Sequence, residues 1–226
     1  MTPVAIKAVL FDLDDTLYEQ ATWLSGAWDA VAATAVLSGV DARALRTALD
    51  EIAAEGSDRG AIIDRALARV GRRDVAVAPL LATFRAHAPA RLEPYTGVID
   101  ALRELRGRVP IGLVSDGDPT IQRNKIRALG LESSFDVVVL SDELGREHRK
   151  PSPVALLAAL DGLSVDAHDA IYIGDRPDKD VAAAGAAGMR AIRVRTGEYA
   201  RRPNDPRPWL TAADVLSAID GLNPSD

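Results

Sequence analysis

The sequence predicts a doubly wound α/β fold, a parallel sheet core interrupted by an all-helical insertion. Short apolar runs of strand length recur along the chain, alanine-rich helical stretches separate them, and one long block after the first run carries no strand signal. With 226 residues the chain is long enough for a core domain and a smaller insertion. The texture places the core at 1–18 and 93–226 and the insertion at 19–92.

The first strand is read around Val9, Leu10 and Phe11, bounded by an acidic turn. After Tyr18, apolar residues fall at helical spacing: Trp28, Val31, Ala32 and Ala35, then Leu45, Ala48, Leu49 and Ile52. Trp23, Trp28 and Phe84 are expected to form this block's own core. The turn residues of 92–97 close it, and Val98, Leu102 and Leu105 then share one helical face. Ile111 to Ser115 is a second strand, followed by a turn at 116–119 and a helix ending at Gly130. Phe135 to Leu140 is a third, with a helix from Pro151 to Leu160 behind a polar loop. Ala170 to Gly174 is the fourth, and its acid-rich end runs into an alanine-rich helix stopping near Gly188; Ala191 to Val194 is the fifth. Strands alternating with helices require a parallel sheet covered on both faces.

Composition excludes several functions. The balance of 27 basic and 33 acidic residues leaves a net charge of −6 with no long basic run, so a nucleic acid polymer is not an expected partner. The cluster Arg190, Arg193, Arg195, Arg201, Arg202 and Arg207 reads as a solvated face and tail. Without cysteine there are no disulfides or thiolate ligands, so a metal must use oxygen or histidine. His87 and His148 lack ligand spacing. No signal-peptide order and no apolar stretch of membrane-spanning length is present, so no membrane association and a cytoplasmic location are expected.

In open parallel sheets, ligands sit beyond the carboxyl ends of the strands. Four polar sets fall there: Asp12 with Asp14, Ser115 with Asp116, Lys150, and Asp175 with Asp178 and Asp180. Like charges repel and resist burial, so carboxylates clustered at a core strand's end point to a divalent cation. Asp15 and Asp178 taken singly read as turn or helix-capping acids. Asp116 and Asp118, flanking Gly117 and Pro119, fit a structural turn as well as a site.

Phe-Asp-Leu-Asp-Asp-Thr-Leu at 11–17, Ser115, Lys150 within Arg-Lys-Pro-Ser-Pro, and Gly-Asp-Arg-Pro-Asp-Lys-Asp at 174–180 occur in order and resemble the four motifs of the haloacid dehalogenase superfamily. The resemblance spans nearly the whole chain. It implies a Rossmann-like core with an inserted helical cap, hinged near Tyr18 and Pro94, and a Mg²⁺-dependent phosphatase that hydrolyses a small phosphorylated metabolite through an aspartyl-phosphate. Asp12 is then the nucleophile and Asp14 the general acid and base. Ser115, the amides of Asp116 and Gly117, and Lys150 would bind the phosphoryl group. Mg²⁺ would take Asp12, the Asp14 carbonyl and Asp175, with Asp180 acting through water. The like-charged neighbour and partial burial of Asp14 lead to the expectation of a raised pKa. Many relatives carry Asn where this chain has Lys179, which adds a positive charge near the metal ligands. A phosphomutase is the alternative implied activity. The family's dehalogenases lack the second acid supplied here by Asp14, and an inactive binding member would have lost a motif residue. The sequence leaves open which metabolite is hydrolysed, which cap residues select it, and the oligomeric state.

Overall fold

A computed structural model describes residues 6–56 and 60–222. The chain divides into two compact units, Met1–Gln20 with Arg91–Asp226, and Ala21–Ala90.

The first unit is built on a six-stranded, wholly parallel sheet in the order β3-β2-β1-β4-β5-β6. Its strands are β1 Ala8–Phe11, β2 Ile111–Ser115, β3 Val137–Leu140, β4 Ala170–Gly174, β5 Arg190–Val194 and β6 Leu210–Ala212. Every residue of β1 is buried, because the strand is central and both its faces are covered. Ala8 and Leu10 alternate onto the face packed by Leu156, Leu160 and Ala184, while Phe11 sets its ring 6.3 Å from that of Phe135. The strand order reverses between β1 and β4, which register as Phe11 opposite Ile173. Such a switch point opens a crevice at the carboxyl ends of the two strands.

Between β1 and β2 lie α1 Gln20–Ala35, α2 Ala42–Ala53, α3 Ile62–Arg69, α4 Val77–Ala86 and α5 Val98–Arg106. The second unit carries its own core of Val31, Leu45, Leu49, Ile63, Leu67 and Leu80. Phe84 stacks on Trp28 at 4.7 Å and meets Trp23 edge-on at 5.2 Å, so these rings are core of that unit, as expected. Tyr18 and Pro94, where the chain leaves and rejoins the sheet unit, pair as an isolated antiparallel bridge.

The remaining helices are α6 Pro119–Ala128, α7 Ser141–Leu144, α8 Val154–Leu163, α9 Ala182–Ala187 and α10 Val215–Asp220. Three details differ from the sequence reading. The helix expected from Pro151 begins at Val154, because the proline at 153 disfavours helical geometry at Ser152. Residues Pro177–Val181 form a single π-helical turn ahead of α9, a local widening frequent at functional sites. The short strand β6 was not foreseen: its three residues, two of them exposed, have no alternation of their own and are strand only by pairing with β5. Among the described residues, no helix is long and apolar enough to cross a membrane.

Candidate active site

Asp12 follows β1 directly, with its amide donating to the Ile173 carbonyl at 2.9 Å. Asp175 follows β4, and the π-helical turn swings Asp180 back towards it. Carboxylate oxygens of Asp12, Asp175 and Asp180 lie within 4.8 Å of one another, all three buried. Lys150 reaches into this group from the loop before α8. Its ammonium donates to Asp12 Oδ1 at 2.6 Å, Asp180 Oδ1 at 2.7 Å and the Tyr172 hydroxyl at 2.9 Å, using all three protons. The Tyr172 hydroxyl in turn donates to the Val114 carbonyl at 3.2 Å. A Cβ at residue 174 would lie 2.5 Å from the Asp180 carboxyl carbon, so the approach requires Gly174.

One ammonium faces three carboxylates here, and the excess negative charge appears in the acidities. Burial pushes Asp12 up to about 7 against the pull of Lys150, with Asp180 and Asp14 adding repulsion. Asp175 is pushed well above its ordinary value, first by burial and then by Asp180 and Asp12. Burial opposes the Lys150 charge, but Asp12 and Asp180 outweigh it and hold the ammonium well above the usual lysine range. A buried set of hard oxygen donors with excess negative charge suits a divalent cation such as Mg²⁺.

Asp14 sits in a separate pocket of donors. Its Oδ1 accepts from the Tyr18 hydroxyl at 2.6 Å and from Lys125 at 2.7 Å, and its Oδ2 from Lys125 at 2.9 Å and the Gln122 amide at 3.0 Å. The expectation of a raised pKa is overturned. Burial does act to raise it, but Lys125, Tyr18 and Gln122 together hold the carboxyl below its ordinary value.

Ser115, at the end of β2, is buried and accepts from Gln122 at 2.6 Å. Asp116 spends one carboxylate oxygen on structure, accepting from Ser141 Oγ at 2.7 Å and the Lys150 amide at 3.2 Å, which ties the β2 loop to the lysine's own backbone. Gly117 adopts φ +123°, and its amide contributes to stabilising the Asp142 carboxylate, which chiefly Arg149 holds below its ordinary value. Asp118 caps α6, accepting from the Thr120 amide at 2.9 Å. Asp178 ion-pairs with Arg176 at 2.8 Å, and Lys179 lies half-buried on the same turn.

Asp15 is a structural clasp with φ +57°. Its carboxylate accepts from the amides of Gln20 at 2.9 Å and Glu198 at 3.1 Å, and its carbonyl accepts from Thr196 Oγ1. The Gln20 bond is the helix-capping role read from the sequence; the Glu198 bond is a long-range addition. The solvated reading of the arginine cluster fails at Arg193, which is 0% exposed. Its guanidinium donates to the carbonyls of Asp175 at 3.1 Å, Tyr199 at 2.7 Å and Arg202 at 2.8 Å, and to Asn204 Oδ1 at 2.5 Å. It thus ties the segment after β5 to the backbone of the β4 loop.

The sequence reading assigned no role in the site to Lys125, Gln122, Tyr18, Tyr172 or Arg193. For the first two a signal existed: Gln122 and Lys125 lie one helical turn apart, interleaved with Ile121 and Ile126, on what reads as the buried side of α6. A lysine at such a place requires a buried anion.

The chain is similar to known proteins over most of its length. The profile for haloacid dehalogenase-like hydrolases matches residues 6–188. The chain is 35% identical over 202 residues to a glyceraldehyde 3-phosphate phosphatase of Methanopyrus kandleri, covering 86% of each protein. It is also 35% identical over 224 residues to a phosphoglycolate phosphatase of Rhodospirillum rubrum, covering 94% of this chain and 89% of the relative. Among solved structures, the magnesium-bound HAD-hydrolase YfnB of Bacillus subtilis superposes with a TM-score of 0.73 at 17% identity, over 97% of this chain and 100% of that one, a likeness of fold. The chain belongs to the family of haloacid dehalogenase-like hydrolases, and it is a hydrolase whose relatives include phosphatases.

Proposed function

We propose that this protein is a Mg²⁺-dependent phosphatase that hydrolyses a small phosphorylated metabolite through an aspartyl-phosphate on Asp12. The observation that carries the reading is the convergence of Asp12, Asp175, Asp180 and Lys150 at the switch point of the sheet, beside Asp14 and Ser115. The relatives named as phosphatases of two- and three-carbon phosphates support the substrate class.

Asp12 attacks phosphorus as the bond to the leaving oxygen breaks, and Asp14 delivers a proton to that oxygen. Water then attacks the phosphorus of the acyl phosphate, Asp14 removes its proton, and inorganic phosphate leaves with Asp12 restored. Lys150 holds the nucleophile in place and offsets charge on the transferring group, while Ser115 donates to a phosphoryl oxygen. Asp12, Asp175 and the Asp14 carbonyl would hold Mg²⁺, with Asp180 beside them. When bound, the ion neutralises the phosphate and the surplus carboxylate charge. With its pKa lowered, Asp14 is held ionised, the state from which it removes a proton from water, and to act as acid in the first step it must take up a proton once bound substrate alters its surroundings. The presence of Asp14 separates this chain from the metal-independent dehalogenases.

Purified protein with Mg²⁺ is expected to release phosphate from p-nitrophenyl phosphate and from at least one member of a panel including phosphoglycolate and glyceraldehyde 3-phosphate. Asp12→Asn should abolish release while leaving the circular dichroism spectrum intact. Wild-type protein inert towards the whole panel refutes the reading.

A further inference from the structure

We propose that Gln122 and Lys125 of α6 are positioning residues for the reaction, an inference that rests on the phosphatase reading above. Lys125 fixes the Asp14 carboxylate against rotation, and Gln122 turns the Ser115 hydroxyl into an obligatory donor.

An ionised carboxylate accepts about four hydrogen bonds, and Asp14 receives four, two on each oxygen, from Tyr18, Lys125 and Gln122, so it carries the proton it donates only when bound substrate displaces one of these donors. Lys125 straddles both oxygens at 2.7 and 2.9 Å, so rotating the carboxyl breaks an ion pair that water cannot replace: Lys125 is only 3% exposed. Gln122, 2% exposed, has one amide nitrogen between two acceptors, 3.0 Å from Asp14 Oδ2 and 2.6 Å from Ser115 Oγ. Flipping the amide would set its oxygen against the Asp14 carboxylate, so charge fixes its orientation. Both amide protons are then committed, and Ser115 Oγ must accept one of them. Its own proton cannot point at Gln122 and is left for another acceptor. A phosphoryl oxygen is such an acceptor. The charge of Asp14 therefore sets the amide, and the amide sets the hydroxyl, linking the acid of the first motif to the serine of the second through one helix.

The separating readout is leaving-group dependence. A proton donor matters most when the departing oxygen is basic, so a misplaced Asp14 should slow phenyl phosphate far more than p-nitrophenyl phosphate, whereas a general loss of folded enzyme slows both equally. In Lys125→Met, kcat/KM for phenyl phosphate is expected to fall on the order of 100-fold, with a several-fold smaller loss for p-nitrophenyl phosphate, and Lys125→Arg should restore most of the difference. Lys125→Gln serves where the Met variant fails to fold. For Gln122 the probe is competitive inhibition by inorganic phosphate. Gln122→Met should weaken it about tenfold in the wild-type background and leave it unchanged in Ser115→Ala, because the two act as one unit. Equal losses on both esters, or additive effects of Gln122→Met and Ser115→Ala, overturn the inference while an active wild type leaves the phosphatase reading standing. Wild-type inactivity on both esters overturns the two together.

Discussion

At the scale of single residues, the site is governed by how few positive charges face its carboxylates. Among the described residues, Lys150 is the one side chain whose ammonium pairs directly with both Asp12 and Asp180, so removing it leaves buried charge uncompensated. Lys150→Met is expected to abolish hydrolysis and to cost about 3–5 kcal/mol of stability in urea unfolding; an unchanged unfolding midpoint contradicts the pairing argument. Gly174→Ala tests the same cluster sterically. The new methyl would displace Asp180, so calorimetric titration should show Mg²⁺ binding weakened at least tenfold, on the order seen when groups that orient a metal site are disturbed. The sequence displayed Asp12, Asp14, Ser115, Lys150, Asp175 and Asp180 because each stands at a strand end or within a motif. It did not display Tyr172, whose ring reads as ordinary strand filling and whose hydroxyl gains meaning only where Lys150 meets it.

At the scale of elements, the loops after β1, β4 and β5 brace one another. The segment at 196–198 holds the Asp15 loop through Thr196 and Glu198, and Arg193 holds the Asp175 carbonyl. Gly197 is the tight point: it has φ +65°, and a Cβ there would come within 2.0 Å of the Asp15 carboxyl carbon. Gly197→Ala should therefore cost well over about 1 kcal/mol, the left-handed backbone alone accounting for about that much, with a matching drop in the urea midpoint. A neutral result would show the clasp to be dispensable. None of this bracing was legible, since an arginine in a run of arginines looks solvated until the strand it sits on proves to be interior. Likewise β6 exists only because β5 offers it an edge.

At the scale of the whole molecule, the buried acids link folding to pH and to the cation. Asp12 titrates at about 7 in the folded chain and Asp175 also lies well above its ordinary value, whereas an unfolded Asp titrates near 4. Between these values the folded chain binds more protons than the unfolded one, so this contribution to stability is full below about pH 4 and is lost as pH rises through about 7. Chelator-treated protein is thus expected to melt at lower temperature at pH 8 than at pH 5, and saturating Mg²⁺, which binds the ionised acids, should flatten that slope. A chelated melting temperature that rises over this interval opposes the assignment.

The succession of five strands along the chain, the helical insertion and the polar residues at the strands' carboxyl ends were determined by the sequence itself, because hydrophobic periodicity and turn chemistry are local and β1, β2 and β4 carry them clearly. Only the tertiary structure decided the state of those residues. Asp14 is held low by Lys125, a partner 111 positions away, and Arg193 is buried because carbonyls from the loops after β4 and β5 satisfy it. Burial and pairing are properties of what surrounds a side chain, and those surroundings come together only when the sheet brings its loops to one edge.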